Sequence, residues 1–270
     1  KSFELFKNHI AILERIGDVL KIKILNLLNN KHYYIEFSET AYGTGFGRNI
    51  DIDTNIVNYY YGSLKTPMTV YGYNMNTKKS KILKEQKIIG GYNRKQYHSE
   101  RIYAVSHDGK KIPISIIYNK NKYKKNGKLL LYGYGSYGIT VDPYFNSARL
   151  SLLDRGFCFA IAHIRGSKIY DEKWYETGKM LKKKNTFKDF ISSAKHLIKN
   201  NYTTTNNLYA SGGSAGGLLM GAILNMSKNL FNGVIANVPF VDVVNTMLDD
   251  TIPLTTGEYD EWGNPNDKKY

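Results

Sequence analysis

The sequence is short of cysteine, of acidic residues relative to basic ones, and of long apolar runs. A single cysteine, Cys158, in 270 residues excludes a disulfide framework. It lies inside the run FCFAIAHI, where it reads as a small buried hydrophobe, and a reducing, cytoplasmic compartment is expected. No apolar stretch approaches the ~20 residues that a membrane-spanning helix needs. The opening residues, KSFELFKNHIAILERIGD, carry too many charges for a secretory signal and read as the interior of a longer sequence. The deficit of acids, 23 against 38 Lys and Arg, leaves a net charge of +15. Such a charge could serve nucleic acid or an anionic membrane. The lysines, however, fall in scattered clusters such as KKNGK and LKKKN, which read as solvated surface, so neither partner is expected.

The first 91 residues read as short strands with polar turns. LKIKILNLLNNKHYYIEF has two runs around Asn29-Asn30-Lys31, and TVYGYNMNTKKSKILK has two around Asn76-Thr77-Lys78. Aligning Asn26 with Asn74 superposes these hairpins at a spacing of about 48, within the 40–50 residues of a propeller blade; a generic antiparallel sheet fits the pattern equally well. A second domain is expected from residue 92. It opens with a hairpin turning at Asp108-Gly109. Strands and helices then alternate: KLLLYGYGS, the helix FNSARLSLLDRG closed by Gly156, the strand FCFAIAHIRG, and the amphipathic helix TFKDFISSAKHLIKNN. NLYASGG, GGLLMGAILNMS and GVIANVPF follow as strand, helix and strand. Alternation with strands apolar throughout predicts an α/β fold, a mostly parallel sheet with helices on both faces.

Between NLYASGG and the following helix, Gly212-Gly213-Ser214-Ala215-Gly216 fits G-x-S-x-G, the turn that presents a nucleophilic serine. The turn is tight enough that side chains two residues either side of the serine would collide with strand and helix. A helix N-terminus follows, aiming free N–H groups at the site. A phosphate-binding loop is the competing reading, but neither G-K-[ST] nor G-x-G-x-x-G is present. No metal or cofactor is expected.

Together with LLYGYGSYG, ARLSLLDRGF, AIAHIRG, MLKKKNTF, VPFVDVV and IPLTTGEYDEWGNP, this serine motif gives residues 98–270 a strong resemblance to the prolyl oligopeptidase family of serine peptidases, and within it to oligopeptidase B. The resemblance implies an α/β-hydrolase domain over 92–270, preceded over 1–91 by the last blades of a β-propeller. It implies hydrolysis of short peptides, with Ser214 as nucleophile and the Ala215 N–H and Tyr134 hydroxyl as oxyanion donors. Glu258 and Asp260 correspond to positions that bind a basic side chain before the cut; Asp260 is one methylene shorter than the usual glutamate. Asp142 matches an acidic position for a second basic residue, although Tyr144 stands where its partner acid is usual. Ser167, Lys168 and Ile169 replace the glycines and glutamate common after HIRG. A proline-specific peptidase of the same family and a noncatalytic remnant are the alternatives.

A hydrolase of this fold takes its acid and histidine from after the serine. All six histidines, His9, His32, His98, His107, His163 and His196, precede Ser214. The expectation is a fragment truncated at both ends, without the segment that carries the catalytic Asp and His, and itself inactive. His163 is expected to pack.

Overall fold

The computed structural model describes residues 2–270 and divides into two compact units: residues up to Glu100 together with Asp142–Ser151, and Arg101–Val141 together with Leu152–Tyr270.

The first unit holds two four-stranded antiparallel sheets. One runs β1 (Ser2–Phe6), β2 (His9–Ile16), β3 (Val19–Asn26), β4 (His32–Tyr34); the other runs β5 (Tyr42–Phe46), β6 (Ile56–Ser63), β7 (Thr69–Asn74), β8 (Lys79–Glu85). In β3 the buried Ile22 and Ile24 alternate with Lys21 and Lys23, the period of two that puts one face into a core. The two hairpins read from the sequence are β3–β4 and β7–β8, the third and fourth strands of each sheet. Asn26 and Asn74 end the third strands and do the same work, each side-chain oxygen accepting from the backbone N–H two residues on, at 2.9 and 3.0 Å. The core is rich in tyrosine, with Tyr42, Tyr59, Tyr61 and Tyr73 buried and Phe37 stacked on Tyr61 at 5.0 Å. Glu39 accepts hydrogen bonds from Tyr61, Ser63 and Thr66.

The second unit is built on a six-stranded sheet ordered β14-β13-β11-β12-β10-β9, with β9 (Tyr97–Val105), β10 (Lys111–Asn119), β11 (Leu129–Tyr132), β12 (Cys158–Ala162), β13 (Leu208–Gly213) and β14 (Gly233–Asn237). The pairs β12–β11, β11–β13 and β13–β14 are parallel and β10–β12 is antiparallel. The Asp108-Gly109 turn leads from β9 to β10, with the Ser106 N–H bonded to the Lys110 carbonyl at 2.8 Å. The helices are α1 (Ser147–Leu153), α2 (Glu172–Glu176), α3 (Lys184–Lys199), α4 (Ala215–Met226), α5 (Val243–Leu248) and α6 (Tyr259–Trp262). Gly156 closes α1 at φ +84°, its N–H on the Leu153 carbonyl.

Phe187, Phe190, Ala194 and Leu197 of α3 recur at helical spacing and pack in one core with Leu219, Met220 and Ile223 of α4 and the strands' Leu131, Ala160 and Ala210. Cys158 is buried there too. Among the described residues no helix is long and apolar enough to cross a membrane. One expectation fails: LKKKN is not all solvated surface, because Lys183 is buried at 9% exposure between exposed Lys182 and Lys184. The start of α3 turns that one side chain inward, where polar groups receive it.

Candidate active site

β13 ends where Ser214 turns the chain into α4 with φ +55° and ψ −120°. Non-glycine residues rarely hold such a conformation, at a cost on the order of 1–3 kcal/mol, unless their surroundings over-determine it. Here they do. The Ser214 N–H donates to the Asn237 carbonyl at 3.0 Å, and the Ser214 carbonyl accepts from Gly217 at 2.8 Å and Phe240 at 3.1 Å. Three glycines are required by close approach, Gly217 among them because a Cβ there would lie 2.4 Å from Pro239 Cα. A Cβ on Gly212 would lie 2.3 Å from the Gly216 carbonyl oxygen, and one on Gly216 would lie 2.8 Å from that of Gly133. Gly213, whose nearest neighbour would be 3.5 Å away, is not constrained in this way.

Ala215 is the first residue of α4, so its N–H has no carbonyl within its own helix to bond and sits at the positive end of the helix dipole. Tyr134 lies in the loop after β11, close enough to the Ser214 side chain for that hydroxyl to act on its phenol. Burial raises its hydroxyl above the ordinary phenol range and the Ser214 hydroxyl opposes that, so near neutral pH Tyr134 keeps a proton to donate. None of the six histidines hydrogen-bonds Ser214 among the described residues. His163 is buried with its Nε2 2.7 Å from Ser115 Oγ, and His107 lies against Ser106.

A pocket of about 340 Å³ opens on Ser214. Val238, Pro239, Phe240, Met247 and Leu254 give it apolar walls, and Tyr137, Thr246, Thr255 and Glu258 are among its polar lining. Glu258 Oε2 accepts from the Tyr137 hydroxyl at 2.5 Å and from Trp262 Nε1 at 2.9 Å. Asp260 is exposed on α6 and is not part of the pocket lining. Asp142 belongs to the first unit, where its carboxylate meets Arg15 Nη2 at 3.5 Å. After HIRG, Ser167 and Ile169 are buried, while Lys168 pairs with Glu172 on α2 at 2.8 Å. No cluster of His, Cys, Asp or Glu able to hold a metal occurs among the described residues.

Tyr137, Lys183 and Glu261 are missing from the residues singled out in the sequence. With 23 tyrosines present, nothing marked Tyr137 except its place three residues after Tyr134. Glu261 follows Asp260 directly, yet neighbours on a helix point about 100° apart. One is exposed and the other buried at 3%, with Oε2 accepting from Tyr175 at 2.8 Å and Oε1 3.3 Å from Lys183 Nζ.

Residues 143–270 match the prolyl oligopeptidase family. The whole of this chain is 43% identical to 37% of dipeptidyl aminopeptidase BI from Pseudoxanthomonas mexicana, and 96% of it is 42% identical to 38% of Protease 2 from Moraxella lacunata. It superposes over its full length on 39% of oligopeptidase B from Trypanosoma brucei, with TM-score 0.91 and 40% identity. The chain belongs to the prolyl oligopeptidase family. Its relatives in this family are longer: the chain spans less than two fifths of each of the three.

Proposed function

We propose that these residues form the nucleophile and specificity half of a serine oligopeptidase that cleaves short peptides after arginine or lysine. The observation that carries the reading is the shared pocket: Ser214, held at φ +55° against Tyr134, and the carboxylate of Glu258 line the same cavity. In this reading the Ser214 hydroxyl attacks the scissile carbonyl, and its proton passes to a general base in sequence outside these residues. The oxyanion collects the Tyr134 hydroxyl and the Ala215 N–H, donors that strengthen as charge develops. The acyl-enzyme on Ser214 is then hydrolysed by water.

The apolar pocket walls suit the methylene stem of a basic side chain, and Glu258 suits its charged head. Tyr137 and Trp262 hold one oxygen of Glu258 and leave the other for the incoming cation. Asp260 and Asp142 join the proposal as secondary acids, with Arg15 competing for Asp142. For these residues the proposed architecture is the last blades of a propeller over 1–91 followed by the first part of a hydrolase domain over 92–270. The Trypanosoma brucei relative was solved with covalently bound antipain, which agrees with a nucleophilic mechanism.

The test expresses the longest reading frame containing these residues beside residues 1–270 alone, and assays peptidyl-arginyl and peptidyl-prolyl amides against Ser214→Ala. Arginyl cleavage by the long form only, abolished in Ser214→Ala, supports the reading. Preferred prolyl cleavage would favour the proline-specific alternative, and no cleavage by either form the noncatalytic one. Release of dipeptides from a free N-terminus would replace the oligopeptidase reading.

A further inference from the structure

Lys183 occupies an unfavourable place for a cation. It stands at the N-terminus of α3, whose dipole presents positive charge there, and it is buried. Its ammonium donates to the Gly135 carbonyl at 2.7 Å and to Ser136 Oγ at 2.5 Å, and meets Glu261 Oε1 at 3.3 Å. The face of the Trp262 ring lies 4.9 Å away. The loop it grips is conformationally demanding, with Gly135 at φ +75° and Tyr137 at φ +57°. Gly135 and Ser136 directly follow Tyr134, whose phenol the Ser214 hydroxyl acts on.

We propose that Lys183 is a positioning residue for Tyr134: it ties the backbone after Tyr134 to Glu261 on α6, so that the phenol hydroxyl is held at Ser214 before substrate arrives. The inference rests on the reading of Tyr134 as an oxyanion donor. Burial lowers the ammonium to about 8 against the raising effect of Glu261, so the tether loosens within an accessible pH range. The titratable groups facing it are Glu261 of α6 and, behind Glu261, Tyr175 of α2; Tyr134 and Tyr137 flank the gripped residues.

The experiment uses the longest expressed form and an arginyl amide substrate. Removing one oxyanion donor costs about 10²–10³ in kcat. Lys183→Met is expected to lower kcat by about tenfold or more, with KM changed by less than about threefold. In a Tyr134→Phe background the same substitution is expected to add less than about threefold, because the group it positions is gone. A merely structural lysine would multiply the Tyr134→Phe loss by its full factor, and that result overturns the proposal. If Tyr134→Phe alone keeps full kcat, the donor reading falls and this inference with it. If Tyr134→Phe is impaired while Lys183→Met is silent, only this inference falls. Glu261→Gln carries the test should Lys183→Met fail to fold: the alkaline fall in kcat near pH 8 should move to lower pH, and an unmoved limb counts against Lys183.

Discussion

The Tyr137 hydroxyl and Trp262 Nε1 donate to the same oxygen of Glu258, which fixes that carboxylate on the wall of the Ser214 pocket. An acid held in this way is pre-organised for a cation. Glu258→Gln is expected to cost about 2–5 kcal/mol in kcat/KM for arginyl substrates by removing the charge partner. Tyr137→Phe should cost about 1.5–3 kcal/mol, the usual worth of a hydrogen bond to a charged group. Steady-state kinetics with arginyl and matched norleucyl amides checks this; an equal loss on both substrates would remove Glu258 from the specificity role.

Ser214 stores backbone strain that glycine would release, since φ +55°, ψ −120° is the mirror image of a relaxed extended conformation. Ser214→Gly is therefore expected to raise stability by about 1 kcal/mol while removing hydrolysis. Thermal unfolding of the two forms measures it. A melting temperature that falls would mean the conformation is not strained.

The glycines around Ser214 should respond unequally. Gly212→Ala and Gly216→Ala push a methyl into backbone carbonyls that cannot yield, at an expected cost of about 1–3 kcal/mol each. Gly213→Ala meets ordinary contact distances and should leave stability nearly unchanged. Denaturant midpoints for the three variants decide; equal effects at Gly212 and Gly213 would contradict the geometry.

The first unit should be sensitive to alkali. Burial raises the hydroxyls of Tyr33, Tyr59, Tyr61, Tyr71 and Tyr73 above the ordinary value of 10, with Glu39 adding to the rise at Tyr61. A group whose folded value lies above its unfolded one contributes stability below the unfolded value and loses it as pH rises. Once pH passes about 10, the unfolded chain releases protons that the folded one retains, and stability falls. Near-ultraviolet circular dichroism followed with tyrosinate absorbance from pH 9 to 12 should show the two changing together. Tyrosinate appearing without loss of the folded signal would count against it.

Features that depend on neighbours along the chain were legible in the residues alone. Alternating Ile and Lys in β3 set a buried face, and the repeated asparagines 26 and 74 marked equivalent turns because an Asx side chain bonds only a few residues away. The glycines flanking Ser214 were legible because a tight turn restricts residue type locally. The buried stripe of α3 followed from its spacing.

Tertiary structure alone decided which charges go inside. Lys183 stands in a row of three lysines and Glu261 in a row of two acids, and composition treats the members of each row alike. What separates them is direction: one lysine faces Gly135, Ser136 and Glu261, and one acid faces Tyr175 and Lys183, across up to 86 residues of chain. Likewise the grouping of Asp142–Ser151 with the first unit, which pairs Asp142 with Arg15, has no local signature. Burial of a charge depends on partners that only folding brings near, because the desolvation cost must be met by groups distant in sequence.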